Sequence, residues 1–106
     1  MKTENMTSTN GNKVANQFII TDDNGNTFFQ SYKSVIAKIY YPHQENEDNL
    51  NTTTNKVELD QKYWNYSNTT GKYRNIFLNE NITETRKKIK SGEYKLTDLN
   101  SDTINQ

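Results

Sequence analysis

Residues Tyr63–Leu78, YWNYSNTTGKYRNIFL, hold the only tryptophan of the chain, three of its seven tyrosines and its clearest helix start. Tyr63, Trp64 and Tyr66 favour extended or turn backbone, and their rings can bury large apolar areas. Ser67, Asn68, Thr69 and Thr70 follow, all side chains able to accept from the free N–H groups of a first helical turn. Tyr73, Ile76 and Phe77 then recur at i, i+3 and i+4, one face of a helix. An aromatic segment therefore runs into a capped helix whose inner stripe packs back on the same rings. Gly71 costs about 1 kcal/mol against alanine inside a helix. It marks either a first-turn residue or a close approach to the backbone.

Downstream, Asn81 with Glu84 three residues on reads as a capping box, opening a second helix that runs to Lys90. Ser91-Gly92 closes it, glycine being the usual residue just past a helix end. Arg86, Lys87, Lys88 and Lys90 fall in its last turns, where the helix dipole favours cations. Glu93–Leu96 alternates as a final strand.

Upstream, Lys56–Asp60 is a short alternating strand. Ser34–Tyr41, SVIAKIYY, carries apolar groups on both faces, as a central strand does, and Pro42 stops it. A short helix over Ser34–Ala37 is the competing reading. Gln17–Thr21 and Thr27–Tyr32 form a hairpin about Asp22–Asn26, where Asn24-Gly25 predicts a type I′ turn. Residues 1–16 read as a frayed leader, 43–55 as a polar loop and 100–106 as a loose tail, leaving 17–99 as one domain. The order β-β-β-β-α-α-β predicts an α+β fold: a small antiparallel sheet with two helices packed on one face.

Composition narrows the classes of function. The chain has 106 residues, a 30% hydrophobic share and a mean hydropathy of -1.12. That is low for a folded domain, so rings must replace missing aliphatics. Net charge is zero, which excludes electrostatic nucleic-acid binding by the molecule as a whole. The charges are uneven, however. Residues 62–95 hold eight Lys/Arg against three acids, whereas 45–60 hold five acids and Lys56. Cysteine is absent, which removes disulfides and thiolate chemistry. No run approaches the roughly 20 apolar residues of a membrane span, and the first residues lack an apolar signal region. The chain reads as cytoplasmic, with no membrane partner. Its Asn-rich runs suggest an AT-rich coding sequence, as in a low-GC bacterium or its phage.

No constellation of acid, base and nucleophile is visible, so catalytic, metal and cofactor sites are all expected to be absent. His43, the single histidine, stands beside Pro42 in a polar loop and reads as exposed and inert. Glu45, Glu47 and Asp48 lack the glycine and terminal glutamate of a calcium loop. Thr69-Thr70-Gly71-Lys72 keeps only Gly-Lys of a phosphate loop, so capping explains it, with an anion contact as the alternative. The run Arg86–Lys90 is either a solvated helix face or, near Tyr73 and Tyr94, a phosphate-contacting one.

The segment 64–99 resembles a recurring pattern in small phage and plasmid proteins of low-GC Gram-positive bacteria. Trp64, Tyr66, Ser67, Thr69, Thr70, Lys72, Tyr73, Phe77 and Leu78 match its positions, and FFQSYKSVIAKI upstream is similar too. The resemblance spans roughly residues 27–99 and implies an accessory protein of a mobile element. Small non-enzymatic proteins in that setting often block a host defence, anti-CRISPR proteins among them. The expected partner is then a host protein or protein–nucleic-acid complex, bound by a monomer or homodimer. The alternative is a small nucleic-acid-binding protein of replication or transcription. The expected contact residues are Tyr66, Thr69, Thr70, Lys72, Tyr73, Arg74, Arg86, Lys87, Lys88 and Lys90. Alanine at Lys72, Arg74, Lys87 and Lys88 is expected to cut binding at nearly unchanged stability.

Overall fold

A computed structural model of the chain describes residues 1–41 and 56–100. Five strands come first: β1 (Lys2–Thr7), β2 (Lys13–Thr21), β3 (Thr27–Ser31), β4 (Ser34–Ile39) and β5 (Val57–Asp60). Helices α1 (Asn68–Leu78) and α2 (Ile82–Ser91) follow, and β6 (Tyr94–Thr97) ends the series. The strands form one sheet in the order β1-β2-β3-β4-β5-β6. The fold is α+β with a mostly antiparallel sheet, and it departs from the expected arrangement in two ways.

The first is an extra strand inside the supposed leader. β1 pairs with β2 from Lys2↔Thr21 to Thr7↔Lys13. Met6 is the one β1 side chain buried in the core, which is why hydropathy did not disclose the strand. Ladder hydrogen bonds of the backbone, not side-chain burial, hold most of it in place.

The second is that β6 runs parallel to β5, with Val57↔Tyr94 and Leu59↔Leu96 as partners. A parallel return needs a long crossover, and α1 and α2 supply it. The expectation of a wholly antiparallel sheet overlooked this connection.

Of the strand read over Ser34–Tyr41, Ser34–Ile39 is strand, Tyr40 and Tyr41 lie beyond its end, and the competing helix is excluded. Ala37 pairs with Phe29 while Val35 pairs with Gln30, which leaves Ile36 as an extra residue. Such a bulge turns two successive side chains to one side, and Ile36 and Ala37 are both buried. The β2–β3 turn is one residue longer than the expected type I′. Only Gly25 has positive φ there, at 88°. Gly25 N–H bonds to Asp22 O, and Asp22 N–H to Asn26 O. That is a type I turn closed by a left-handed glycine.

The core contains Phe29, Ile36, Ala37, Val57, Leu59, Tyr73 and Tyr94, with Tyr63, Trp64, Phe77, Leu78 and Ile89 packed against it. Helix α1 meets β3 through the rings of Phe77 and Phe29, centroids 5.8 Å apart, and through Thr70 and Ser31. Its buried residues are Thr70, Tyr73 and Arg74. The inner stripe is therefore 70-73-74-77, and Ile76, expected inside, stands exposed. The capping box of Asn81 and Glu84 is formed, and Gly92 closes α2 at φ 88°.

Below the helices, Glu80 joins α1, α2 and β6. Its carboxylate accepts from Lys88 Nζ at 2.7 Å, Thr85 Oγ1 at 2.6 Å and Tyr94 Oη at 2.8 Å. Burial alone would raise its pKa, but these hydrogen bonds and the Lys88 charge outweigh burial and the net shift is downward. Tyr94 moves the other way, pushed up to about 12 by burial and by its bond to Glu80.

Candidate functional site

The amino end of α1 and the β3–β4 turn enclose the best-formed cleft among the described residues, about 510 Å³ in volume. Sequence chemistry builds its floor. Ser67 caps α1, its Oγ accepting from Thr70 N–H at 3.1 Å and donating to Thr70 Oγ1. Thr70 Oγ1 lies 2.9 Å from Ser31 Oγ on β3. This hydroxyl chain, exposed at Ser67 and buried at Thr70 and Ser31, fixes the helix end to the sheet, and Ile36 completes the floor.

Tyrosines form the rim. Tyr63 and Tyr66 meet edge to face, centroids 5.6 Å apart, and Tyr66 is 67% exposed. Tyr32, 52% exposed, lines the same cleft from the tight β3–β4 turn. Tyr32 and Asn16 both have positive φ, 58° and 67°, although neither is glycine. Both line the cleft. Left-handed backbone costs a residue with a Cβ about 1 kcal/mol or more, and such outliers gather at functional sites.

The lining offers hydroxyls, one amide, the Lys33 ammonium and ring faces, with no carboxylate or histidine. Such a set can hold a partner's side chain or a planar group by stacking and hydrogen bonds.

The expected contact residues divide sharply. Tyr66, Thr69 and Lys72 are exposed at the amino end of α1, and Arg86, Lys87 and Lys90 are exposed on α2. Thr70, Tyr73 and Arg74 are not available as surface. Arg74 is 1% exposed; its guanidinium donates to Trp64 O at 2.7 Å, Asn65 Oδ1 and Asn75 Oδ1. It also lies 5.2 Å from the Trp64 ring centroid. Burial, then the charge of Arg86, pulls its pKa below the ordinary arginine value, with Glu80 opposing. Arg74 thus braces the aromatic segment, and the expectation that it meets a partner is corrected. Lys88 is committed to Glu80. A long side chain can be drawn inward wherever carbonyls and a ring face await it, which charge counting does not register.

Sequence reasoning missed Asn16, Ser31, Tyr32 and Ser34. Their signal was the turn Ser31-Tyr32-Lys33-Ser34, a two-residue connection between strands without the glycine or asparagine such turns prefer. His43, Glu45, Glu47 and Asp48 lie outside the described residues. No helix among the described residues is long and apolar enough to cross a membrane.

No curated protein and no solved structure matches the chain. A family model does match residues 1–93, a span that takes in β1, both helices and every residue lining the cleft, and the chain therefore belongs to the family of unknown function DUF8033.

Proposed function

We propose that this is a non-enzymatic binding protein whose contact surface is the tyrosine-bordered cleft, with Thr69 and Lys72 at its margin. One observation carries the reading: Tyr32 is kept in a left-handed turn and half exposed, and it lines the same cleft as the exposed Tyr66. Tyrosines that are rigid, amphipathic and exposed around a concave site are what protein interfaces concentrate. On the resemblance described above, the setting is a mobile element. The action is then stoichiometric inhibition of a host defence, anti-CRISPR-like, through a protein or protein–nucleic-acid complex in the bacterial cytoplasm.

A second reading is a nucleic-acid-binding protein of replication or transcription, favoured by Arg86, Lys87 and Lys90 standing exposed on one helix. Capture of partners by the tagged protein from a low-GC Gram-positive lysate, with and without nuclease, separates the two. The first reading expects one protein partner recovered after nuclease treatment. Recovery of nucleic acid alone, lost on nuclease treatment, would support the second.

A further inference from the structure

The sheet face turned away from the helix contacts carries an unusual row. Pairing aligns Thr3, Ile20, Phe28, Lys38, Glu58 and Lys95 across all six strands. Phe29 and Ser31, which meet α1, and Tyr94, which meets Glu80 and Lys88, share the other face by the same register. Phe18, Ile20 and Phe28 are each half-buried, yet none belongs to the core or packs against it. A one-sided antiparallel sheet normally shows polar residues outward, so these rings call for an explanation.

Cations stand among the rings. Lys38 Nζ lies 4.0 Å from the Tyr40 centroid and 5.1 Å from that of Phe28, and Lys56 Nζ lies 5.1 Å from Tyr40. Lys95 is exposed at the end of the row. Two carboxylates share these surroundings: Glu58, paired between Lys38 and Lys95 in the row, accepts from Tyr40 Oη, and Asp22 accepts from Asn24 N–H, Asn26 N–H and Asn26 Nδ2 within its turn while its charge acts on Lys38.

We propose that this face binds single-stranded nucleic acid, with bases stacked on Phe18, Phe28 and Tyr40 and phosphates met by Lys38, Lys56 and Lys95. Rings and lysines interleave over adjacent strands, which matches a ligand whose planar bases and anionic phosphates alternate along one chain. A duplex keeps its base faces out of reach. The surface is separate from the cleft and independent of the binding reading given for it.

Fluorescence anisotropy of labelled oligothymidylate and oligouridylate, beside a duplex of equal length, tests the assignment. Single strands are expected to bind at least tenfold tighter than duplex. The log–log salt slope is expected near roughly −2, from about −0.7 for each of three lysine–phosphate contacts. Lys38→Gln, Lys56→Gln and Lys95→Gln together are expected to weaken binding at least tenfold at an unchanged unfolding midpoint. Phe28→Leu is expected to weaken it several-fold. Tyr66→Ala is expected to leave it unchanged, so the cleft and the sheet face fail separately. Absence of binding at low salt, equal affinity for duplex, or full binding by the triple-glutamine variant would overturn the proposal. So would a concentration-dependent dimer, measured by sedimentation, that Phe28→Lys dissolves.

Discussion

The backbone N–H of Tyr32 donates to the carbonyl of Asn16 over 2.7 Å, and both residues sit in left-handed backbone. The bond ties the β3–β4 turn to the irregular start of β2 and sets the Tyr32 ring at the rim of the cleft. Gln30 Nε2 reinforces the turn by donating to Tyr32 O at 2.9 Å. Glycine would suit both φ values better, so the ring is held where the backbone alone would not place it.

Tyr32→Gly is therefore expected to unfold at the same temperature as the parent or higher, because removing the Cβ relieves about 1 kcal/mol of backbone strain. Tyr32→Val, β-branched at φ 58°, should lose about 1–2 kcal/mol. Thermal melts of the pair check the order. A Tyr32→Gly protein clearly less stable than the parent would show that the ring is structural.

Gly71 and Gly25 should answer oppositely to alanine. Gly71 is helical, and a Cβ there would meet Asn65 Oδ1 at 3.7 Å and Arg74 Nη1 at 3.8 Å, ordinary contacts. Gly71→Ala should stabilise the protein by up to about 1 kcal/mol. At Gly25, φ is 88° and the new carbon would lie 3.1 Å from Tyr41 Cγ. Gly25→Ala should cost about 1–2 kcal/mol. Urea titrations with equal slopes would measure both.

Arg74→Ala should be among the most damaging single changes, destabilising by about 3 kcal/mol, since it leaves three part-buried acceptors without their donor and empties the space beside Trp64. Arg74→Lys should recover little, because an ammonium cannot span three acceptors in a plane. Denaturant unfolding followed by Trp64 fluorescence reads this directly. Mild effects on stability would return Arg74 to the list of contact residues.

The Glu80 cluster gives stability a defined pH dependence. The Glu80 pKa is lowered on folding, so its contribution is complete above the ordinary value of 4.5 and is lost as pH falls through the folded value. Tyr94 is raised to about 12 from 10.0, so its contribution is complete below 10.0 and is lost as pH rises towards 12. The Lys88 pKa, raised above 10.5 chiefly by its bond to Glu80, acts in the same alkaline direction. Midpoints should fall on both flanks, and Glu80→Gln should flatten the acid one. An acid limb unchanged in Glu80→Gln would refute the assignment.

Elements with local signals were readable from the chain. The capping box at Asn81, the glycine after α2 and the β-branched, apolar run from Ser34 all state their own geometry. What stayed hidden depends on partners distant in sequence. β1 is polar at most positions and is recognisable only beside β2. Arg74 reads as surface charge until Trp64 O and the asparagine side chains are brought to it. The cleft joins Asn16, the Ser31–Ser34 turn and Thr70, which no single window contains. Of the expected contact residues, Tyr66, Thr69 and Lys72 are exposed where the sequence placed them, because they flank a helix whose start was unmistakable.

The most direct test of cleft-mediated binding is partner capture after nuclease treatment by three baits: the parent, Tyr32→Gly with Tyr66→Ala, and Arg86→Ala with Lys87→Ala. Each bait is first matched for unfolding midpoint. Recovery by the parent and the α2 variant, with at least tenfold loss in the tyrosine variant, is the expected result. Undiminished recovery by the tyrosine variant would contradict the account.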